Sequence, residues 1–318
     1  SAASIREARL VSALRGFFIY LSENRAARRF VLGNPGTRRM SRRFVAGETL
    51  ADGVAAVREI NRLGLRASLN YLGEKTTSPR EAAEATRHYL EILGAITRER
   101  LDCTLSIKLS QLGLAGDPAQ AETLLRQILD AARRDRVFVR IDMEESALVD
   151  PTLALWRTVW PEGYTNVGLV IQAYLFRSQK DVEALLETGV RIRLVKGAYL
   201  EPPSVAYPRK ADVDAQYQRL TEALLRRGTS PAIATHDPRM IEHARTFAAR
   251  EGITPDRFEF QMIYGVRRDL QVALAGEGYH MRVYVPFGEQ WYPYFMRRLG
   301  ERPANVFFLL RSVFAEWR

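Results

Sequence analysis

The sequence is short of the features that make a chain easy to classify. One cysteine, Cys103, stands among 318 residues. That excludes a disulfide framework and makes the reducing cytoplasm the expected location. The four histidines, His88, His236, His243 and His280, fall in no HExxH or other metal-ligand spacing, so no metal site is expected. No GxGxxG or GxxxxGK[ST] run occurs, which removes the familiar dinucleotide and phosphate-loop cradles. Val11–Leu21 is apolar but short, and Arg15 interrupts it; a membrane-spanning helix needs about 20 apolar residues. Low-complexity tracts and linkers are missing as well. Ser1–Ser4, which lacks a Met, is set aside from the fold reading.

What is present suits a globular enzyme or binding protein. Apolar residues make up 47% and charged residues 26%, enough to build the core of one large domain or two small ones. The net charge is +10, and it is unevenly placed. Residues 1–50 hold ten arginines (Arg6, Arg9, Arg15, Arg25, Arg28, Arg29, Arg38, Arg39, Arg42, Arg43) against Glu7, Glu23 and Glu48. Such a segment reads either as a solvated helical face or as a contact for anionic lipid or a partner. Nucleic acid is not expected, because no reading motif accompanies the charge.

Residues 1–65 read as an N-terminal helical segment packed on the remainder of the chain. Apolar positions at three-and-four spacing run through Ile5–Phe30, Arg38–Phe44 and Ala51–Leu63. From residue 66 to 318 the texture changes to short β-branched runs separated by long amphipathic stretches. Eight strands are expected: Ala67–Leu72, Cys103–Leu109, Val137–Asp142, Val167–Ala173, Val190–Lys196, Ala232–Thr235, Phe258–Met262 and Arg282–Val285. Helix starts between them are marked by a capping box at Ser78–Glu81 and by Asp-Pro pairs at 117–118, 150–151 and 237–238. Eight βα units predict an α/β chain folded as a (βα)8 TIM-like barrel, preceded by N-terminal helices and ending in a C-terminal helix. A doubly wound open sheet is the alternative.

In a barrel the chemistry gathers at the C-terminal strand ends. Those ends carry Gly73–Glu74, Lys108, Asp142–Glu145, Gln172 with Tyr174, Arg193 with Lys196 and Tyr199, Thr235–Asp237, Gln261 and Tyr284, while the strand interiors read as mostly apolar. Asp237, and one of Glu144 and Glu145, are expected to be helix caps. Lys108 and Asp142 each close a strongly apolar run and need partners at a barrel mouth; Lys108 with Asp142 is one such pair. The fifth strand, Val190–Lys196, ends in two cations and a small-residue turn, as if to hold something flat and anionic. Near the C-terminus, Tyr294, Arg297, Arg298 and Glu301 share one helical face. They read either as a surface ion pair or as a bidentate carboxylate clamp beneath an aromatic ring.

Several stretches resemble the FAD-dependent proline dehydrogenases. They include Ser106–Ser110, Ile141–Glu145, Val170–Tyr174, Arg193–Tyr199, Ala234–Asp237, Glu259–Met262, Arg282–Gly288 and the Tyr294…Glu301 face, in the family's order from about residue 66 to 312. The resemblance implies a distorted (βα)8 barrel that binds FAD and oxidises L-proline to Δ1-pyrroline-5-carboxylate. It implies a membrane quinone as the electron acceptor, and with it peripheral contact at the inner face of the cytoplasmic membrane. Carried onto this chain, it assigns the proline carboxylate to Lys108, Arg297 and Arg298, with Glu301 pairing one arginine and Asp142 bracing the cations. Tyr199, Tyr284 and Tyr294 would wall the proline ring. Arg193 would face the reactive nitrogen of the flavin. Met143, Gln172, Val195, Lys196, Gly197, Ala198, Thr235, His236 and Gln261 would line the cofactor. Two rival readings stay open at this point. One is a Schiff-base aldolase or pyridoxal phosphate enzyme using Lys108 or Lys196; the other is a non-enzymatic protein that binds surfaces through residues 1–50.

Overall fold

The computed structural model describes residues 42–73 and 75–301, with side chains through Met296. Its centre is a closed barrel of eight parallel strands in sequential order. They are β1 (Arg66–Tyr71), β2 (Cys103–Ile107), β3 (Val139–Ile141), β4 (Val167–Gln172), β5 (Arg191–Val195), β6 (Ala232–Ala234), β7 (Glu259–Ile263) and β8 (His280–Phe287). Each expected strand is present, with ends shifted by at most a few residues. The open-sheet alternative is excluded, because β8 closes on β1 with Ser68 opposite Tyr284.

Nine helices accompany the strands among the described residues. They are α1 (Leu50–Arg62), α2 (Pro79–Arg98), α3 (Pro118–Arg134), α4 (Val149–Val159), α5 (Ser178–Leu186), α6 (Lys210–Arg227), α7 (Pro238–Arg250), α8 (Arg268–Gly276) and α9 (Trp291–Glu301). Local chemistry sets several of their starts. Ser78 and Glu81 cap α2 reciprocally, the Asp117 carboxylate accepts from the Gln120 N–H ahead of α3, and Asp237 accepts from the Arg239 N–H ahead of α7. A second capping box, Thr49 with Asp52, starts α1. Each such cap stabilises its helix by roughly 1 kcal/mol.

Three expectations fail here. Asp150 does not cap a helix: α4 begins one residue earlier, at Val149, and the Asp150 carboxylate accepts from Arg177 at 2.6 Å. Neither Glu144 nor Glu145 caps the chain after it. The short 3-10 turn Ser146–Leu148 has no side-chain cap, Glu145 pairs with Lys75, and Glu144 is buried. Residues 42–44 form a turn rather than continuing a helix, and Phe44 and Val45 pack against Trp291, Tyr294 and Phe295 of α9. The expected helix Ile5–Phe30 and the chain beyond α9 lie outside the described residues.

The two faces of the barrel strands are chemically different. Outward-facing Leu69, Leu105, Val139, Leu169, Leu194 and Phe260 are fully buried against the helices, each contributing about 1.5–3 kcal/mol by leaving water. The inward side is more polar, although Val170 also faces in beside Arg193. Inside the barrel, alternation brings up Ser68, Ser106, Arg140, Arg193, Gln261 and Arg282, all below 9% exposure. These charges are tolerated because most are paired. Arg282 forks onto Glu259 at 2.9 and 3.1 Å and donates to the Ala67 carbonyl at 2.8 Å. Burial alone would raise the Glu259 carboxyl, but Arg282 outweighs it and holds the group at about 2.

Candidate active site

The C-terminal mouth carries three hydrogen-bonded clusters, and the first centres on Arg193. This residue is inward-facing on β5 and 5% exposed. Its Nη1 donates to Asp142 Oδ1 at 2.6 Å, its Nε to Gln261 Oε1 at 2.6 Å, and its Nη2 to Ser106 Oγ at 3.2 Å. Asp142, just past β3, accepts a second bond from the Tyr284 hydroxyl at 2.7 Å. Burial, then the Asp142 charge, pushes the Tyr284 phenol well above its usual range, so it stays protonated and keeps donating. The Arg193 guanidinium lies 5.4 Å from the Tyr284 ring centroid, within cation–π range. Four strands therefore fix one planar cation in a single orientation.

The second cluster anchors Lys108. Its N–H donates to the Tyr89 hydroxyl at 3.2 Å, and Tyr89 bonds Gln111. The next turn, Leu109–Leu112, is held by Glu144, whose carboxylate accepts from the Ser110 N–H at 3.1 Å and Oγ at 2.6 Å. Burial pushes the Glu144 carboxyl up, while the Ser110 bonds and the Lys108 charge pull it down. Gln172 Nε2 donates to the Glu144 carbonyl at 2.8 Å. Asp142, considered from sequence as a partner for Lys108, bonds Arg193 and Tyr284; the charge of Lys108 bears on Glu144.

The third cluster surrounds Lys196. Its ammonium donates to Asp214 of α6 and, at 2.9 Å, to Asp237. Lys210 and Arg239 reach the same two carboxylates, so three cations face two anions. Burial alone would raise Asp237, but the Lys196 bond and charge hold it at about 2. Asp237 is thus a helix cap and an ion-pair partner at once. Beside it, the Thr235 hydroxyl accepts from the Asp237 N–H at 3.1 Å, and His236 Nε2 accepts from the Ile263 N–H at 2.8 Å. That bond leaves Nδ1 as the protonated nitrogen of the neutral ring.

The chain turns over this cluster at Gly197, where φ is +117°. A side chain there would put its Cβ 2.2 Å from the Tyr174 ring, so only glycine fits. Ala198 and Tyr199 come next, half-buried. Glu201, two residues on, accepts from the Ser146 N–H at 2.6 Å and from its hydroxyl, tying the loop after β5 to the loop after β3. Met143 is buried, and Val195 is half-buried at the end of β5. On α9, Tyr294 is 7% exposed and close enough to bear electrostatically on Tyr284. The helix continues through Arg297, Arg298 and Glu301, whose side chains lie outside the described residues; so does Glu74.

Four of these positions escape a reading of the strand ends. Ser106 faces inward by simple alternation, two residues before Lys108, so the sequence does carry a signal for it. Asp214 sits on a helix, and Tyr89 and Gln111 lie on a helix and a turn, where strand-end logic does not look. Arg191 sits at the opposite, N-terminal end of β5, on the lower surface of the barrel as its place in the strand suggests.

Comparison with known proteins identifies the family. The proline dehydrogenase family model matches residues 54–311. Proline dehydrogenase 1 of Bacillus subtilis (strain 168) is 42% identical over 300 residues, covering 94% of this chain and 99% of that protein. A proline dehydrogenase of Deinococcus radiodurans is 42% identical over 278 residues, covering 86% of this chain and 90% of that one. Among solved structures, proline utilization A (PutA) from Bdellovibrio bacteriovorus, inactivated by N-propargylglycine, superposes with a TM-score of 0.77 at 26% identity. It covers 83% of this chain, which spans 32% of that longer protein.

Proposed function

The chain belongs to the proline dehydrogenase family, which carries out the first step of proline catabolism, and from that premise we propose that it oxidises L-proline with a bound FAD and passes the electrons to a membrane quinone. The observation that carries this reading is Arg193: a buried guanidinium fixed by Asp142, Gln261 and Ser106 at the barrel mouth.

The residues present fit a flavin dinucleotide. Gln172, Arg193, Thr235, His236 and Gln261 form a polar rim suited to the edge of a flat heterocycle. The Tyr174 ring packs where a Cβ at Gly197 would lie, which sets the course of the turn after β5 beside the rim. The Lys196 cluster keeps one net positive charge beside the start of α7, where a pyrophosphate gains from both the cation and the helix dipole. When bound, the flavin supplies the acceptor for the hydride that leaves the ring carbon next to the proline nitrogen.

The chain's own groups do the rest. Lys108, Arg297 and Arg298 hold the proline carboxylate, the one strong handle on the substrate, and so set the position of the reacting carbon. Tyr199, Tyr284 and Tyr294 wall the ring. Asp142 keeps Arg193 and Tyr284 in place. Arg193 offsets negative charge developing at the cofactor's reactive edge. The amine must be neutral to give up hydride, so turnover rises with pH, and its N–H proton passes to solvent as the C=N bond forms.

The arginines of residues 1–41 support peripheral contact with an anionic membrane at its inner face, where a quinone would be met. No described helix is long and apolar enough to cross a membrane. Phe44 and Val45 belong to the core around α9, so truncation through residue 50 would unfold more than it tests. Replacing Arg6, Arg9, Arg15, Arg25, Arg28 and Arg29 by Gln is the cleaner probe. It should weaken quinone-linked turnover on anionic vesicles and leave dye-linked turnover unchanged. Equal loss of both would assign that segment to the fold. The cofactor itself is tested by heat-releasing the chromophore of the purified protein. FAD is expected, and a colourless protein that still turns proline over would refute the reading.

A further inference from the structure

The barrel has a second opening, at the end opposite the active site. A cavity of about 250 Å³ lies among the N-terminal strand ends, lined by residues that include Arg66, Arg140, Arg191, Arg282, Asp256 and Glu259. Its charges are not balanced. Glu259 is occupied by Arg282 and Gln261. Arg66 lies 3.6 Å from Asp102. Asp256 is exposed on the rim. Arg140 has no carboxylate partner among the described residues, although it is only 4% exposed. Its Nη1 donates to the carbonyls of Leu169 and Arg191, at 3.1 and 2.6 Å. The rest of its fork has no acceptor among the described residues.

The fold makes deliberate room for this cation. On β4 the neighbouring position is Gly168, where a Cβ would lie 2.6 Å from Arg140 Nη1 and 2.7 Å from the Phe138 ring. The guanidinium carbons of Arg140 and Arg191 both sit within about 5 Å of that ring's centroid, at 4.9 and 5.0 Å. Burial, then the charge of Arg193, brings the Arg140 pKa down to about 9. A buried charge held without a counterion costs several kcal/mol. A chain that clears a strand face to keep such a charge is best explained by a ligand that supplies the missing one.

We infer that this cavity is an anion site, and that it takes a small tetrahedral oxyanion of the phosphate class through Arg140 and Arg191. A planar carboxylate would use one guanidinium fork. A tetrahedral dianion can accept from more than one of the guanidinium groups that line the cavity from β3 and β5, and it fits the volume with water to spare. The site is separate from the proline pocket, with Arg193 standing between the two.

The test is calorimetric titration of inorganic phosphate into the full chain as purified, at constant ionic strength kept by a salt of a bulky anion. Saturable binding of one phosphate per chain is expected. Arg191→Gln should weaken it about tenfold, the loss of one charge-assisted hydrogen bond, and Arg140→Met should abolish it. Asp256→Asn removes a repulsive rim charge on an exposed side chain and should tighten binding about threefold, a gain that damage to the fold would not produce. No saturable heat up to about 50 mM phosphate would overturn the inference. So would equal affinity in the original protein, Arg191→Gln and Asp256→Asn.

Discussion

Replacing Asp142 by Asn removes one charge and keeps the shape. In the native site the Asp142 carboxylate accepts from Arg193 at 2.6 Å and from Tyr284 at 2.7 Å. The amide can still accept one of these bonds, but it cannot neutralise a guanidinium that is 5% exposed. A hydrogen bond to a charged group is worth about 1.5–3 kcal/mol, and each 1.36 kcal/mol is tenfold in rate. If Arg193 must sit where Asp142 holds it, kcat/KM for proline should fall by roughly 10- to 150-fold. Asp142→Ala leaves the buried cation unpaired and should in addition destabilise the fold by about 3–5 kcal/mol, a drop of roughly 6–20 °C in Tm for a domain of this size. Dye-linked steady-state kinetics and a thermal melt of both variants separate the two effects. An Asp142→Asn enzyme within threefold of native kcat/KM would refute the view that Asp142 positions Arg193.

Other parts of the site carry their own expected outcomes. Gly197→Ala combines a left-handed backbone with a 2.2 Å contact to the Tyr174 ring, so it should lose cofactor; chromophore content per chain after purification checks this, and full retention would contradict it. The Glu259 carboxyl is held at about 2 by Arg282 against an ordinary value of 4.5. Its stabilising contribution, at most about 3 kcal/mol, is therefore present above pH ~4.5 and lost as pH falls toward 2. Urea unfolding across that window should show a steeper acid limb in the native protein than in Glu259→Gln, and parallel curves would sink the assignment. Arg297→Met should raise the proline KM by orders of magnitude with the chromophore still bound, and a near-native KM would remove Arg297 from the clamp.

The barrel is legible in the sequence because its strands carry strong local signals. Leu105 and Ile107, Val139 and Ile141, and Leu169 and Ile171 alternate in runs bounded by well-marked helix starts, and the periodicity of those apolar residues survives any detail of packing. The interior is harder to read. Arg140, Arg193 and Arg282 are charges on core strands, and nothing local says that Asp142, from the end of β3, will meet Arg193 of β5, or that Glu259 will meet Arg282 on the neighbouring strand. Partners distant in sequence are set by how the strands assemble, while Asp214 is brought beside Lys196 by the packing of α6 on β5, without any motif. Asp150 shows the opposite failure. Its Asp-Pro pair is a good local cap signal, yet the preceding 3-10 turn begins the helix early and leaves the carboxylate to Arg177. Glu144 reads as a local cap because it comes just after a strand, but it reaches back to hold the turn after Lys108.

The most direct measurement is an anaerobic titration of the purified protein with L-proline, monitored by absorbance near 450 nm. A site built around Arg193 and a bound FAD predicts a flavin band that L-proline bleaches, with Δ1-pyrroline-5-carboxylate formed in proportion to the flavin reduced. A flavin band that L-proline leaves unchanged, in protein that remains folded, would contradict the account.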